Sequence, residues 1–457
     1  MVKKVAIIGA GITGLSAAHY MSKQEDVEVD LFEQSDRAGG KIRTHQQDGY
    51  TIELGPESYL ARKKILTELA EEIGLGDDLV RNQTGTSYIY VNKKLSPLPK
   101  GAVLGMPTEL VPFLTTDLIS ARAKLRAGLD FIKKPIKVHT DISVGEFFRN
   151  RLGDEVLENM VEPLLSGIYS TNIDELSLLS TFPNFKDMEE EHGSLIKGVY
   201  HQKISAPKTA PGKKQGQFLQ FKNGLQSFID RLLEVIRENG VSVNFNHDVT
   251  AIDKEDGKYT LTVNGETRTY DNVIVTTPHF QYKRWFQDMP LEYFKHMKAT
   301  SVATVVMAFD GHQVENEIDG TGFVVSRKMD TSITACTWTN KKWAHAAPDG
   351  KTLLRAYVGR PGDYIVEEKD DEEIIRLARK DLDQIMTING EPEFTIVTKL
   401  KHSMPQYKVG HKEMIRGIHA YMAEHYPGVV LTGASHSGVG LPDCVRQAKE
   451  AVDSITE

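Results

Sequence analysis

The chain has 457 residues, of which 40% are hydrophobic and 26% are charged, and its net charge is −8 at pH 7. This length and composition are typical of a globular protein with two or three domains. The negative charge argues against general nucleic-acid binding. No apolar run approaches the roughly 18 residues of a membrane span. Two cysteines, Cys336 and Cys444, offer neither a disulfide framework nor zinc-ligand spacing, which fits a reducing interior without a structural metal.

The first predicted element is a buried strand that runs into a glycine-rich turn. The sequence "VAIIGAGITGLSAA" begins at Val5 and places glycines at positions 9, 11 and 14. Gly9 allows a tight turn, Gly11 lets the backbone approach a pyrophosphate, and Gly14 lets the following helix pack closely. The N-terminus of that helix would offer free N–H groups and a positive dipole end to the phosphates. The stretch predicts a dinucleotide phosphate site.

A second strand, Val27 to Phe32, strengthens this prediction. Glu33 follows it, 19 residues after Gly14. A carboxylate at this spacing accepts hydrogen bonds from an adenosine ribose in dinucleotide-binding folds. The expected ligand is therefore an adenine dinucleotide.

Further pieces of the same α/β pattern are widely separated along the chain. The helix pattern "NGLQSFIDRLLEVIRENG" ends at Gly240, strand patterns follow near residues 245 and 273, and a last strand near residue 430 precedes a helix beginning near Pro442. The intervening segments are then insertions. One lacks strand alternation and is predicted to be helical, and the other alternates as an antiparallel sheet does.

Several motifs resemble a known superfamily. "GAGITG", Glu33, "RAGGKIRT", "ELGPES" and "GASHSGVGLPDC" are similar to the FAD-dependent amine-oxidase-like enzymes. More narrowly, "LARKK", "EPLLSGIYS", "TACTWTNKKW" and "SMPQYKVGH" resemble bacterial protoporphyrinogen and coproporphyrinogen oxidases of the Gram-positive type. The resemblance covers nearly the whole chain.

The resemblance implies an α/β fold with three domains. A Rossmann-like FAD-binding domain would comprise residues 1–80, 215–280 and 400–457. A mainly helical domain would span residues 93–205, and an antiparallel-sheet substrate domain would comprise residues 81–92 and 281–399.

The resemblance also implies the residues that bind FAD noncovalently. The phosphate loop would be Gly9, Ala10, Gly11, Ile12, Thr13 and Gly14. Glu33 and Gln34 would bind the ribose, Lys41 would lie beside the pyrophosphate through its backbone, and Val249 would meet the adenine end. The isoalloxazine would be lined by Gly55, Pro56, Glu57, Ser58, Tyr407, Val439, Gly440 and Leu441. Tyr407 stands where relatives often have tryptophan, and a packed core tyrosine is the alternative.

Charge suggests where an anionic substrate would bind. Arg62, Lys63 and Lys64 precede a helical apolar stripe, so these cations oppose the helix dipole with no evident benefit to the fold. Binding of a porphyrinogen's propionates would explain the presence of these cations. A solvated basic turn is the alternative, and Lys341 and Lys342 are second candidates.

The activity implied by the resemblance is oxidation of coproporphyrinogen III, with hydride passed to FAD three times and each reduced flavin reoxidised by dioxygen to give hydrogen peroxide. The flavin carries this chemistry, so no catalytic side chain is assigned. Three other functions stay open: a protoporphyrinogen oxidase, an amine oxidase or carotenoid desaturase, and a non-catalytic flavin-binding partner of haem assembly.

A basic, partly apolar stretch covers residues 100–137. It contains seven Lys or Arg residues against three acids. Such a stretch suits either anionic lipid or a helical lid on the substrate site, and the lid is favoured because no long exposed apolar face is evident. We expect a cytoplasmic protein with weak, salt-sensitive membrane contact at most, and a downstream haem-pathway enzyme as a further partner.

Overall fold

A computed structural model of the chain describes residues 2–83, 85–100, 102, 104–106, 109–136, 141–205, 216–289, 292–315 and 318–456. It divides into two compact units, each assembled from separate segments. Unit 1 comprises Met1–Arg81, Gln217–Lys298 and Lys412–Glu457, and unit 2 comprises Asn82–Gly216 and Ala299–His411.

Unit 1 is built on a five-stranded parallel sheet. Its strand order is Ser242–Asn244, Val27–Phe32, Lys3–Ile8, Asn272–Val275 and Val429–Leu431. The central strand Lys3–Ile8 buries four consecutive residues from Val5 onward, as expected for a strand that is covered on both faces. The predicted fold class is confirmed, since these are the strands that the sequence assigns to one sheet.

Helices cover this sheet. Leu225–Glu238 shows why they form: its apolar residues recur at helical spacing, so Leu225, Phe228, Ile229, Leu232 and Ile236 are all buried. The chain then leaves the helix through Gly240, whose φ of +87° favours glycine. The remaining helices of this part of the chain are Ile12–Met21, Ile65–Glu72, Glu292–His296, His411–His425 and Leu441–Thr456, with 3₁₀ turns at Gly76–Asp78 and His279–Arg284.

Three small antiparallel groups complete unit 1. They are the meander Val249–Glu255, Lys258–Val263 and Glu266–Tyr270, the hairpin Thr44–Gln47 and Tyr50–Glu53, and the three short strands Tyr59–Leu60, Phe218–Phe221 and Leu79–Arg81.

Unit 2 contains a seven-stranded sheet. Its order is Phe394–Pro405, Ala299–Asp310, Lys351–Val358, Ile333–Trp338, Gly320–Val325, Thr86–Val91 and Lys94–Pro97. The antiparallel sheet expected in residues 281–399 is present, since the strands that this segment contributes to the sheet pair antiparallel with one another. Thr86–Val91, which comes from residues 81–92, runs parallel to Gly320–Val325. These two strands come from distant segments, so no tight turn imposes an antiparallel direction on them. A two-stranded pair, Val314–Glu315 with Thr387–Ile388, lies outside this sheet.

The segment expected to be helical does supply most helices of unit 2, although its first residues, Lys94–Pro97, form the edge strand of the sheet. The described helices of unit 2 are Leu110–Thr115, Ala121–Gly128, Val144–Leu152, Asp154–Val156, Glu162–Tyr169, Leu178–Thr181, Pro183–His192, Leu195–Ser205, Thr339–Lys342, Ile365–Glu368 and Asp371–Ile385, with a π-helical turn at Leu157–Val161 and 3₁₀ turns at Leu129–Phe131 and Gly311–Gln313.

A buried ion-pair network ties several of these helices together. Arg151 and Asp130 are both fully buried and form an ion pair, and Arg151 also lies 3.1 Å from Glu189. Lys186 contacts Glu189 at 2.6 Å, and the Ser194 hydroxyl donates to Asp130 at 2.5 Å. Because each buried charge has an opposite partner, the network avoids the cost of an isolated ion.

The expected helical and sheet domains both fall within unit 2, so their separation from each other stays a prediction. Residues 281–298 belong to unit 1 and residues 400–411 to unit 2. The sequence had assigned residues 281–298 to the sheet domain and residues 400–411 to the FAD-binding domain.

The basic stretch exposes an apolar surface that the sequence did not reveal. Leu118 and Ile119 are buried, as in a packed segment, but Leu125 is 78% and Ile132 is 79% exposed. Val111, Leu114, Leu129 and Phe131 are exposed as well, so the stretch carries an apolar surface made of short segments, although no long helical face. Helical periodicity could not show it because these helices are short and irregularly connected. Lys137, the last basic residue of the stretch, lies outside the described residues.

Within the described ranges, no helix has both the length and the apolar character needed to cross a bilayer.

Candidate cofactor and substrate site

The glycine-rich turn has the geometry that a dinucleotide needs. Gly9 has a φ of +103°, which favours glycine, and its N–H donates to the Phe32 carbonyl at the end of the neighbouring strand. A Cβ on Gly14 would lie 1.8 Å from the Gly9 carbonyl oxygen, so the helix packs directly on the turn. A Cβ on Gly11 would meet no heavy atom within 4 Å. The three glycines therefore serve the turn, the open approach and the helix packing, as predicted.

The helix that follows, Ile12–Met21, begins without a side-chain cap. Its N-cap, Gly11, provides no side-chain cap, and the first turn holds no acidic residue. N–H groups in the first turn of a helix have no partner within the helix, and a phosphate beside Gly11 would accept hydrogen bonds from such groups. Ala10, Ile12 and Thr13 are buried beside this turn.

Glu33 lies beside the turn at the end of its strand. One carboxylate oxygen accepts the Ala10 N–H at 2.8 Å, and the other accepts the Ser35 N–H at 2.9 Å and the Ser35 hydroxyl at 2.7 Å. Gln34, next to it, is exposed. These bonds hold the Glu33 carboxylate at the carboxyl edge of the sheet, where ligands of such folds bind.

The segment "RAGGK" packs on the same turn. The Gly39 N–H donates to the Ala10 carbonyl at 2.8 Å, and a Cβ on Gly40 would lie 3.3 Å from the Gly11 Cα. Part of the Lys41 side chain is exposed to solvent. Many protein atoms nevertheless surround its ammonium, and the resulting desolvation lowers the pKa of that group.

Gly55 joins the "GPES" segment to Lys41. A Cβ on Gly55 would lie 1.8 Å from the Lys41 carbonyl oxygen, so this contact requires glycine. Glu57 is buried and its carbonyl accepts a hydrogen bond from the Gln220 amide at 2.9 Å, while Pro56 and Ser58 are half-buried.

The C-terminal motif reaches the same place. A Cβ on Gly433 would lie 3.5 Å from the Thr13 hydroxyl, and Cys444, on helix Leu441–Thr456, is hydrogen-bonded to Thr13. Val439, Gly440 and Leu441 are half-buried just before that helix. Burial raises the pKa of the Cys444 thiol, consistent with a packed rather than a reactive cysteine.

The three cations at the start of helix Ile65–Glu72 do not share one environment. The Lys63 ammonium contacts both carboxylate oxygens of Asp443, at 2.7 and 2.5 Å. The sequence argument that this cation brings no benefit to the fold was therefore wrong for Lys63, since the pair links two helices that are distant in sequence. Arg62 and Lys64 are exposed.

The structure shows other contacts for two further predicted cofactor residues. Val249 is buried and its carbonyl accepts the Trp285 indole N–H at 3.0 Å. Tyr407 belongs to unit 2, where it is fully buried and stacks on His411 with 4.1 Å between ring centroids. The other cations considered, Lys341 and Lys342, lie within 6 Å of the Trp338 and Trp343 rings, respectively.

Sequence reasoning missed a group of imidazoles beside the C-terminal motif, of which His279 and His436 are buried and His419 is exposed. His436, within "GASHSG", contacts Tyr282 and His419, and Ser435 contacts His279. The partners come from segments more than 15 residues away, so no local spacing could reveal the group. Among the described residues, no cluster of His, Cys, Asp or Glu suits a metal ion.

The residues present fit a dinucleotide cofactor. The open Gly11, the uncapped helix start and the fixed Glu33 carboxylate together form a cradle for a pyrophosphate and a ribose. The glycine-rich turn, "RAGGK", "GPES" and the C-terminal motif meet within unit 1.

Comparison with known proteins agrees with this arrangement. The family described as "Flavin containing amine oxidoreductase" matches residues 12–456. The chain is 53% identical to a coproporphyrinogen III oxidase of Staphylococcus aureus, over 100% of this chain and 99% of the relative. It is 49% identical to that of Bacillus subtilis, over 99% and 98%, respectively.

A solved structure from Exiguobacterium sp. 255-15, with a provisional protoporphyrinogen oxidase name, is 41% identical and superimposes with a TM-score of 0.89 over 100% of this chain and 99% of that one. The predicted flavin cofactor and oxidoreductase class are confirmed by these similarities. The chain belongs to the flavin-containing amine oxidoreductase family.

Proposed function

We propose that this protein oxidises coproporphyrinogen III to coproporphyrin III in haem biosynthesis, with FAD as cofactor and dioxygen as oxidant. The observation that carries the proposal is the full-length similarity, at 53% and 49% identity, to two coproporphyrinogen III oxidases. The dinucleotide cradle at Gly9–Gly14 supports the cofactor, and the exposed cations at Arg62 and Lys64 support an anionic substrate.

FAD, when bound, supplies the hydride acceptor for the substrate's methylene bridges. The residues of the chain bind the cofactor and orient it. The Gly9–Gly14 loop and the start of helix Ile12–Met21 bind the pyrophosphate, Glu33 and Gln34 bind the ribose, and Val249 lies at the adenine end. Lys41 would lie beside the pyrophosphate through its backbone, and the flavin ring would be lined by Gly55, Pro56, Glu57, Ser58, Tyr407, Val439, Gly440 and Leu441.

Helix Leu441–Thr456 contributes electrostatically. Its N-terminus offers a positive dipole end, which would stabilise negative charge on a flavin bound beside it by on the order of 1 kcal/mol. Asp443, in its first turn, would oppose that effect as a free carboxylate, but Lys63 neutralises it. By neutralising Asp443, Lys63 preserves the positive potential at the N-terminus of this helix.

The propionates are assigned to the cluster of Arg62, Lys63 and Lys64. Arg62 and Lys64 are exposed and available for charge-assisted hydrogen bonds to a carboxylate. Lys63 is already paired, so its share in substrate binding is smaller than that of its neighbours. Coproporphyrinogen carries four propionates against two in protoporphyrinogen, so a cationic cluster favours the former.

Protoporphyrinogen oxidation is the second candidate, because the 41% identical Exiguobacterium protein carries a provisional name for that activity. The two are separated by aerobic turnover of the purified flavoprotein with coproporphyrinogen and protoporphyrinogen side by side, with porphyrin fluorescence as the signal. We expect a higher kcat/KM for coproporphyrinogen. A higher kcat/KM for protoporphyrinogen would show that the protein is a protoporphyrinogen oxidase. If neither porphyrinogen gives a porphyrin, the protein is a non-catalytic flavoprotein.

We also propose that the protein works in the cytoplasm, with weak, salt-sensitive contact to anionic lipid through the exposed residues Leu125, Phe131 and Ile132 and the basic residues around them. A downstream haem-pathway enzyme that takes up the porphyrin is the expected protein partner. Sedimentation with anionic and neutral vesicles tests the lipid contact. Recovery only with detergent at high salt would contradict it.

A further inference from the structure

A cavity of about 510 Å³ opens in unit 2 beside helix Asp371–Ile385. It is bordered by this helix, by the turn before strand Ile333–Trp338 and by the turn after strand Lys351–Val358. Its volume lies within the range of roughly 300–1,000 Å³ that is typical of small-molecule sites. None of its lining residues belongs to the groups assigned to the flavin or to the propionates. The cavity is therefore a candidate site of its own.

Arg360 contributes a cation to this cavity that lacks a counterion. Its side chain is half-buried, and its Nη2 donates to the Thr331 hydroxyl at 3.2 Å and to the Ile333 carbonyl at 3.3 Å. Both acceptors are uncharged, and in the part of the chain that the structure describes the guanidinium forms no ion pair. Burial lowers the pKa of Arg360, as expected for a cation that has lost solvent without gaining an anion. A negative charge is the partner that this guanidinium lacks.

Two further cations line the cavity. Lys380, on helix Asp371–Ile385, is exposed, and no described residue forms a hydrogen bond or an ion pair with its ammonium. Arg327 is paired through Nε with Glu162 at 3.0 Å, and its Nη2 donates to the Thr171 carbonyl at 3.2 Å. Its Nη1 has no partner among the described residues, so part of its guanidinium stays available. The cavity thus presents guanidinium and ammonium donors together, as recognition of an oxyanion requires.

Two acids of the cavity bind backbone groups rather than these cations. Asp381 accepts the Ser332 and Ile333 N–H groups, at 2.6 and 3.0 Å. Asp363 accepts the backbone N–H of Arg360 at 2.9 Å. Burial raises the pKa of both carboxyls, whereas a close ion pair would lower it. These acids therefore fix the two turns that border the cavity and leave its cations without a counterion.

We propose that this cavity binds a small organic anion through its carboxylate or phosphate groups, with Arg360 as the central donor and Lys380 and Arg327 as further, more exposed donors. The oxygens of the anion supply the negative charge that Arg360 lacks. A ligand bound there joins the two turns to helix Asp371–Ile385. Neither the flavin nor the porphyrinogen is needed for this binding.

Asp330 gives an expected effect of the opposite sign. It lines the cavity, is exposed and forms no ion pair with the described residues. Its carboxylate opposes an incoming anion, so Asp330→Asn should strengthen binding where loss of a cation weakens it.

The test is isothermal titration calorimetry of the FAD-loaded protein, without porphyrinogen, with citrate and with pyrophosphate as probes. Sodium chloride holds the ionic strength constant. Bound FAD occupies the dinucleotide cradle, so pyrophosphate cannot bind there. The variants are Arg360→Gln, Lys380→Gln and Asp330→Asn. Arg416→Gln, in unit 1, is the matched control, because it removes the same charge from an exposed arginine outside the cavity.

We expect one anion per chain, bound about ten- to hundredfold more weakly by Arg360→Gln, because a charge-assisted hydrogen bond is lost. Lys380→Gln should weaken binding by about 1.5- to fivefold, since its ammonium is exposed, and Asp330→Asn should strengthen it by a similar factor. Arg416→Gln should bind like the parent. Tighter binding of citrate indicates a carboxylate ligand, and tighter binding of pyrophosphate indicates a phosphate ligand.

Absence of binding with both probes, or parental affinity in both Arg360→Gln and Lys380→Gln, would overturn the proposal. An anion bound at Arg62 and Lys64 instead would give that second result. If Arg360→Gln does not fold, Lys380→Gln and Asp330→Asn decide, and parental affinity in both rejects the site. Turnover of porphyrinogen plays no part in this test, so the proposed function and this site can fail separately.

Discussion

Gly11 and Gly14 lie three residues apart, yet their substitution should have opposite consequences. At Gly11 the backbone is extended, with a φ of −71°, and a Cβ would meet no heavy atom within 4 Å. Gly11→Leu should therefore leave the stability of the FAD-free protein within about 0.5 kcal/mol of the parent. Its side chain would fill the space that the pyrophosphate needs, so the protein should purify without flavin.

At Gly14 the expected damage is to the fold itself. A Cβ there would lie 1.8 Å from the Gly9 carbonyl oxygen, far inside the 3.0 Å that such contacts keep. Relieving this overlap by moving the helix from the turn costs about 1–3 kcal/mol, and the better helix propensity of alanine recovers up to about 1 kcal/mol. Because an overlap of this size with a backbone atom puts the cost at the upper end of that range, Gly14→Ala should destabilise the FAD-free protein by about 1–2 kcal/mol.

The assay compares the two variants and the parent after FAD removal, by denaturant unfolding, and before removal, by visible flavin absorbance per protein. Gly11→Ala is a milder control that should fold like the parent. Full flavin content in folded Gly11→Leu, or parental stability in FAD-free Gly14→Ala, would refute the assignment of roles to these glycines.

Three further predictions follow from other contacts. Arg62→Ala and Lys64→Ala should each raise the KM for coproporphyrinogen by about five- to thirtyfold, and the KM for protoporphyrinogen by less. The increase should be smaller in high salt. An unchanged KM in both variants would show that these cations are solvated surface residues that do not bind the substrate. Lys63→Ala should raise this KM less than either of them and lower stability by only about 0.2–1 kcal/mol, because its pair with Asp443 is partly exposed; a larger KM effect than at its neighbours would contradict the pairing. Arg151→Met should destabilise the protein by about 3–5 kcal/mol in denaturant unfolding, since it leaves Asp130 buried without its cationic partner and Glu189 with Lys186 alone, and parental stability would show that the network is dispensable.

The sequence by itself determined the cofactor turn and the central sheet. Its glycines and the strand from Val27 to Phe32 follow local rules, because turn geometry and strand burial depend on neighbouring residues and on hydrophobic period. The same holds for helix Leu225–Glu238, whose apolar spacing appears in the sequence and whose buried face agrees with it. The residues proposed to bind FAD and substrate remain predictions, although the structure brings many of them together in unit 1.

Only the tertiary structure decided which distant residues became partners. Lys63 and Asp443 are 380 residues apart, and their pairing turned an isolated cation into part of a link between two helices. Tyr282, His419 and His436 converge because the chain leaves unit 1 and returns to it, and the parallel pairing of Thr86–Val91 with Gly320–Val325 has the same origin. Local propensity carries no information on such contacts, since their energy depends on surfaces that meet only after folding.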